Sequence, residues 1–313
     1  MLTHLIILLD DTSVSYCHYG NTLDRKLIGL DVLKAGIVWA MKENVNVQFV
    51  YPDYGLPVEY RILIDSIDHI KIKPECQSED ADVVVLTEWK EKLPDVVNER
   101  TYVIRTSRKD LEEHAEVVKS LLKSGTRFVV VLTDIEAFGD ADIPSYKAML
   151  EDFVDSLCEA YQSGNAAQMS LLTDRIMLGE MNNCNAGVNN VTLAPNGRFY
   201  LCPAFYYDNP KDDVGNLKEG LRIKNQQLLD LNHAPICRNC DAYHCKRCIW
   251  MNSRLTLDAN TPSHQQCVVA HLERNASRLL QQRLAEKGIR LNPSHEIREI
   301  DYLDPFNIVN KWK

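Results

Sequence analysis

The sequence of 313 residues has no long apolar run. Its longest, such as the stretch from Leu5 to Leu9, are of strand length, whereas a membrane-spanning helix takes about 20 apolar residues. An excess of basic residues is missing too. Lys and Arg number 35 against 44 Asp and Glu, giving a formal net charge of −9 and a pI near 5.5. A nucleic-acid groove or an anionic membrane surface attracts concentrated positive charge, so neither is an expected partner. The first residues lack the basic segment and the small-residue cleavage site of a signal peptide, which makes the cytoplasm the expected compartment. Internal repeats and low-complexity linkers are absent as well. Apolar residues make up 45% of the chain, enough for a substantial core in one large domain or two ordinary ones.

Up to about residue 175 the pattern alternates strand and helix. Leu5 to Leu9 reads as a buried strand, and Leu27 to Met41 has helical apolar spacing at Leu27, Leu30, Leu33, Ile37 and Met41. Strands follow at Val45 to Val50, His69 to Ile72, Asp82 to Leu86, Thr101 to Ile104 and Arg127 to Leu132. Helices are expected at Tyr60 to Ile67, Leu111 to Leu122 and Ser145 to Tyr161. Runs such as Val83 to Leu86 and Phe128 to Leu132 are apolar throughout, as parallel strands covered on both faces are. The expectation is an α/β domain over residues 1–175, either a partial (β/α) barrel or an open parallel sheet. A small cysteine-rich metal-binding domain follows over 176–313, with a carboxy-terminal helix from His271 to Glu286 closed by Gly288. The apolar tail residues Tyr302, Phe306, Ile308 and Trp312 are expected to dock.

Seven of the ten cysteines fall between residues 184 and 267: Cys184, Cys202, Cys237, Cys240, Cys245, Cys248 and Cys267. In a reducing compartment such residues read as thiols and metal ligands rather than disulfides. Between Cys184 and Cys202, Asn196-Gly197 marks a tight hairpin flanked by Val191 to Leu193 and Phe199 to Leu201. The next four cysteines form two CxxC pairs only four residues apart, whereas a common zinc pattern separates its pairs by about 15 to 20. The thiols are therefore expected to divide into a four-cysteine site and a three-cysteine site. Iron-sulfur clusters and structural zinc both use four-thiolate sites, so spacing leaves the metal open. His244 and His264 lie close to Cys245 and Cys267 and each could be a fourth ligand, against which stands the plainer reading of a surface histidine.

Residues 184–267 resemble the SPASM domain, the auxiliary-cluster region behind the catalytic barrel of many radical SAM peptide-modifying enzymes. Cys184, Gly197, Cys202, the four-cysteine run and Cys267 follow that family's order, and Val214 to Leu217 sits where it often has a Gly-Asn turn. The run is one residue shorter in two places than the usual spacing. The resemblance implies one [4Fe-4S] cluster on Cys237, Cys240, Cys245 and Cys267 and a second on Cys184, Cys202 and Cys248. It also favours the partial barrel for the α/β domain.

The catalytic radical SAM triplet Cx3Cx2C does not occur in residues 1–175, where Cys17, Cys76 and Cys158 stand alone. After the first strand the chain reads Leu9-Asp-Asp-Thr-Ser-Val-Ser-Tyr-Cys-His-Tyr19 instead. That stretch, combined with the cysteine array, resembles the CXXX-repeat peptide maturase family. The resemblance implies an accessory protein, not itself a radical SAM catalyst, that works beside a separate radical SAM maturase on a ribosomally made cysteine-repeat precursor peptide. Its clusters would pass electrons or hold a peptide thiolate. The alternative function is a redox-inert peptide or partner recognition module stabilised by zinc.

Other groups are weaker candidates. Cys17 and His18 lie in the loop after the first strand, where α/β folds place their sites, and offer a nucleophile or resolving thiol; a structural turn is the plainer account. Asp10 and Asp11, with Glu88, Asp134 and Glu136, form a candidate acidic mouth for a peptide or cation, against which stand caps and solvated turns. Cys158 lies on an apolar helix face and reads as buried, and Cys76 as incidental.

Overall fold

The computed structural model describes residues 2–21, 24–89, 100–181, 184–292 and 297. The expected docking of Tyr302, Phe306, Ile308 and Trp312 falls outside them. The chain forms two compact units, each of two segments: Met1–Leu86 with Asn185–His233, and Thr87–Cys184 with Ala234–Lys313.

The first segment runs β1 (His4–Leu8), α1 (Leu30–Glu43), β2 (Asn46–Val50), α2 (Val58–Ile64), β3 (His69–Pro74) and β4 (Val83–Leu86). All four strands are parallel to their neighbours, in the order β4-β3-β2-β1. The α/β expectation is met, and with it the reason: β1 is buried at four of its five positions, as a strand covered on both faces must be. Helix α1 begins three residues later than its periodicity suggests, because Leu27 is held in a bridge to Asp10.

The second segment holds β5 (Thr101–Thr106), α3 (Arg108–Glu113), α4 (Ala115–Leu122), β6 (Arg127–Leu132), α5 (Ile143–Gln162), β7 (Gln168–Met169) and α6 (Asp174–Met177). Its strands are parallel in the order β7-β6-β5. One expected helix over Leu111 to Leu122 is two. His114 leaves helical geometry (φ −108°, ψ 23°), its ring Nδ1 lies 2.8 Å from the Asp110 carbonyl, and the ring stacks on Trp89 at 4.8 Å. Ser107 starts α3 by accepting the Asp110 N–H.

The third segment returns to the first unit with β8 (Asn190–Leu193), β9 (Phe199–Tyr200), α7 (Pro203–Asp208), β10 (Gly215–Asn216) and β11 (Gly220–Leu221). Strand β8 adds to β1 in parallel, and β9 pairs with β8 antiparallel. The hairpin is present, but its loop is one residue longer than the two-residue form. Ala194 N–H bonds to the Arg198 carbonyl, Gly197 N–H bonds to the Ala194 carbonyl, and Gly197 takes the left-handed conformation (φ 76°). This is a type I turn with a glycine bulge, for which Pro195 in the first turn position is well suited. The core of this unit is apolar: Leu5, Ile7, Leu33, Ile37, Phe49, Val191, Leu193 and Phe199 pack together with almost no exposure. Gly36 lets α1 approach β8, since a methyl group there would meet Leu193 Cδ2 at 2.5 Å.

The fourth segment carries α8 (Ile249–Thr256) and α9 (His264–Glu286). Helix α9 begins seven residues before the expected His271. Ser263 caps it by accepting the Gln266 N–H at 3.2 Å, the serine-x-x-glutamine start of a capping box. Cys267 is thereby helical. Helices α5 and α9 pack together, joined by the buried hydrogen bond from Tyr146 Oη to Glu273 Oε1 (2.7 Å) and by Lys287 Nζ to Gln162 (2.8 Å).

Candidate metal centre

The two CxxC pairs fold as short turns rather than as strands or helices. Cys237 opens a single 3-10 turn and Cys240 closes it, with the Cys240 N–H bonded to the Cys237 carbonyl at 3.0 Å. Cys245 follows another turn, its N–H bonded to the Ala242 carbonyl at 2.9 Å. Helix α9 then supplies Cys267. These four thiols line one cavity, together with Arg247 and His271. Among the described residues no three His, Cys, Asp or Glu side chains converge to hold a single metal ion.

Burial sets the chemistry of these thiols. It pushes Cys237 up to about 11, with Cys240 adding to the rise and Arg247 opposing it, and it raises Cys240 and, more strongly, Cys245. A thiol held protonated at neutral pH is a poor nucleophile. A ligand must shed its proton, so binding a cationic centre supplies the compensation that burial otherwise withholds. Ligation therefore fits this set better than nucleophilic chemistry does. His271 Nε2 lies 3.7 Å from Cys240 Sγ, and burial, followed by the neighbouring Arg274, lowers the imidazole to about 3, so the ring is neutral.

A buried charged network adjoins the turn. Asp241, fully buried, accepts from Arg175 Nη2 (3.3 Å), Arg274 Nη1 (3.2 Å) and Arg278 Nη2 (2.6 Å), while Arg175 Nε also bonds to its carbonyl at 3.0 Å. Arg175, Arg247 and Arg274 are themselves buried. Sequence reading missed these residues and His271. A signal was there: Cys267, His271, Arg274 and Arg278 fall at spacings of four, three and four, one helix face, once α9 is started at Ser263.

The other candidates are placed as follows. Cys184, Cys245, Cys248 and Cys267 belong to the second unit and Cys202 to the first. Cys248 stands at the start of α8 and outside the residues lining the cavity. Neither His244 nor His264 lines it; His244 Nε2 instead lies 3.1 Å from Glu273 Oε2, and His264 opens α9. Asp10 is committed to its own loop, accepting from Thr12 N (2.8 Å), Thr12 Oγ1 (2.6 Å) and Tyr54 Oη (2.7 Å). Asp11 accepts from Tyr206 Oη at 2.5 Å, and burial raises its carboxyl. Cys17 and His18 lie half-buried on this loop, with Tyr19 sealed beneath it and stacked on Tyr207 at 5.4 Å. Asp134 accepts the Arg108 N–H at the start of α3, while Glu88 and Glu136 are exposed. Cys158 is buried on α5, and Cys76 is exposed.

No protein-family model and no curated protein matches the sequence. Solved structures do match the fold. A polyhistidine-tagged form of anSMEcpe with bound AdoMet superposes with a TM-score of 0.60 at 14% identity, covering 93% of this chain and 100% of that one. The chain shares the fold of that structure, an α/β fold with a mostly parallel sheet. Native anSMEcpe with bound AdoMet and Kp18Cys peptide gives a TM-score of 0.58 at 14% identity over 91% of this chain and 99% of that one. The form with Cp18Cys peptide gives 0.59 at 13% over 92% and 100%. At these identities the likeness concerns fold alone. Among the described residues no helix is long and apolar enough to cross a membrane.

Proposed function

We propose that this protein is an accessory maturase that acts beside a separate radical SAM enzyme on a ribosomally made cysteine-repeat peptide. Cys237, Cys240, Cys245 and Cys267 would hold an auxiliary [4Fe-4S] cluster in it. The observation that carries the reading is the convergence of these four thiols, from two turns and one helix, on a single cavity.

A cluster bound there would supply one-electron transfer. The chain's own residues do the rest: the turns and α9 position the thiols, and Arg247 beside Cys237 favours the thiolate form that ligation needs. The cited neighbours with bound peptides support a peptide as the partner. The missing Cx3Cx2C triplet is why S-adenosylmethionine cleavage is assigned to a separate protein.

Anaerobic purification followed by quantification of iron, sulfide and zinc per chain tests the reading. Iron and sulfide in equal amounts, with visible absorption, are expected, and no 5′-deoxyadenosine should form with S-adenosylmethionine and a strong reductant. Stoichiometric zinc without iron would transfer the conclusion to a redox-inert recognition module, and release of 5′-deoxyadenosine above a blank would end the accessory assignment.

A further inference from the structure

The exposed apolar side chains of the first unit gather on one face. Among the described residues nine large apolar side chains are well exposed, and five of them lie on two helices: Leu30, Val38 and Met41 on α1, Val58 and Ile62 on α2. Single exposed apolar residues are ordinary, whereas a contiguous group marks a surface that something covers. Here the group is contiguous. Helices α1 and α2 are the crossovers of successive parallel strands, which right-handed connection sets side by side on one face of the sheet. Tyr60 Oη of α2 donates to the Ile28 carbonyl at 2.7 Å, just ahead of α1, and the inner residues of both helices share one core cluster. On α1, Leu30, Lys34, Val38 and Met41 recur every three or four residues and form one outward stripe, with the small, exposed Ala35 beside its middle.

Charge identifies the occupant. The chain carries a net charge of −9, which sets two copies against one another at long range. On these two helices, however, Asp31, Glu43 and Glu59 are balanced by Lys34, Lys42 and Arg61. The signs are also ordered, since α1 has Asp31 in its first turn and Lys42 in its last. Laid antiparallel about a two-fold axis near the middle of the helix, one copy of α1 sets Asp31 against Lys42 of the other, Leu30 against Met41, and the aliphatic stem of Lys34 against Val38. Opposite ends of the two helix dipoles meet as well. A different partner would have to mirror this order, whereas a second copy does so by symmetry. We infer that this face is a self-association surface, on which a second copy of the chain docks its own α1 and α2 about a two-fold axis. Helix α1, with 14 residues, is about 21 Å long, and two adjacent helices span about 20 Å, so the face offers about 400 Å² a side in projection. That is well below the roughly 800 Å² a side of a standard interface, and the dimer is therefore a reversible one.

Sedimentation velocity on the full chain, over the micromolar range of concentration, is the test. The wild-type mass should rise with concentration from 35.8 kDa toward twice that value. Val38→Glu puts a charge into the centre of the contact and should weaken the dimer about tenfold or more. Met41→Glu, at a side chain 66% exposed in the single chain, serves in its place should Val38→Glu fail to fold. Asp31→Lys and Lys42→Glu should each weaken association, and the double variant should restore it. Both changes oppose the dipole of α1, so the melting temperature of the double variant should fall further while its dimer returns. A merely structural role for the two charges would not separate association from stability in this way. A wild type that stays at 35.8 kDa throughout overturns the inference. So does a dimer that Val38→Glu and Met41→Glu leave unchanged, or a double variant that associates as weakly as the singles. A chain that remains a monomer while an added peptide or protein slows amide exchange on α1 and α2 also overturns it and assigns the face to that partner.

Discussion

The two units differ in what they bury besides apolar side chains. At the heart of the first are Leu5, Ile7, Phe49, Val191, Leu193 and Phe199, all apolar and all without measurable exposure, around parallel strands whose backbone groups pair with one another. The second buries Arg175, Arg247, Arg274, Asp241, Glu273, His244 and His271 beside a set of thiols. Apolar burial stabilises in proportion to area and needs no specific partner. Buried charge stabilises only when each group is compensated, and breaking a buried pair is costly. Both units have an apolar core, the second from residues such as Val103, Leu122, Phe128, Leu150 and Phe153, and the second adds to it a buried network of charged groups that must be compensated.

The sharpest break in that comparison is Cys240→Ser. A structural zinc-type site in a peptide is worth about 10 to 16 kcal/mol, and a whole domain is stable by only about 5 to 15. Losing one ligand should expose residues 234–292 to proteolysis and fast amide exchange, with the strands of the first unit still protected. Cys248→Ala makes the contrast. That residue does not line the cavity, so the variant should keep the metal there. Equal protease resistance in wild type and Cys240→Ser, or loss of the cavity metal in Cys248→Ala, would refute the division.

A smaller effect is expected in the opposite direction from Phe49→Ala. Phe49 is fully buried in the centre of the first unit's core, and removing such a ring costs about 3 to 5 kcal/mol. Denaturant unfolding followed through exchange of β1 and β2 amides should show this loss, while iron bound per chain stays at the wild-type level. A proportional fall in iron would mean that the cysteine site depends on the apolar core.

The same contrast explains what could be read from the sequence. Continuous apolar runs are a local signal, and they located the strands of both units within one or two residues in most cases. The return of the chain after Cys184, so that β8 joins β1, is not local: Val191 and Leu193 carry the same signal wherever in the sheet they insert. The CxxC spacing singles out the cysteines in sequence, and Cys237, Cys240, Cys245 and Cys267 line one cavity. The arginines were not, because a Lys or Arg in sequence ordinarily signifies solvent. Only the stripe from Cys267 to Arg278, visible once Ser263 is taken as a cap, distinguishes them. The hairpin loop and the split between α3 and α4 turned on single side chains, Pro195 and His114, whose preferences are weak until neighbours act on them.

The least effect belongs to the first unit's own ion pairs, which lie on its surface rather than in its core. Burial raises the Asp80 carboxyl, but hydrogen bonds from Lys73 and Lys71 and their charges outweigh it and bring the group from 3.8 down to about 2. A carboxyl with a depressed value in the folded state contributes stability above its unfolded value of 3.8, and that contribution disappears as pH falls through about 2. Asp80 is more than half exposed, so solvent screening holds the gain to a few tenths of a kcal/mol, up to about 1. Asp80→Asn should therefore lower the stability of the β2 and β3 region slightly at pH 6, with the difference from wild type closing between pH 4 and pH 2. Amide exchange on β3, compared with β5 in the other unit, is the measurement. A difference that persists unchanged at pH 2 would show that Asp80 acts through packing or its backbone rather than through its charge.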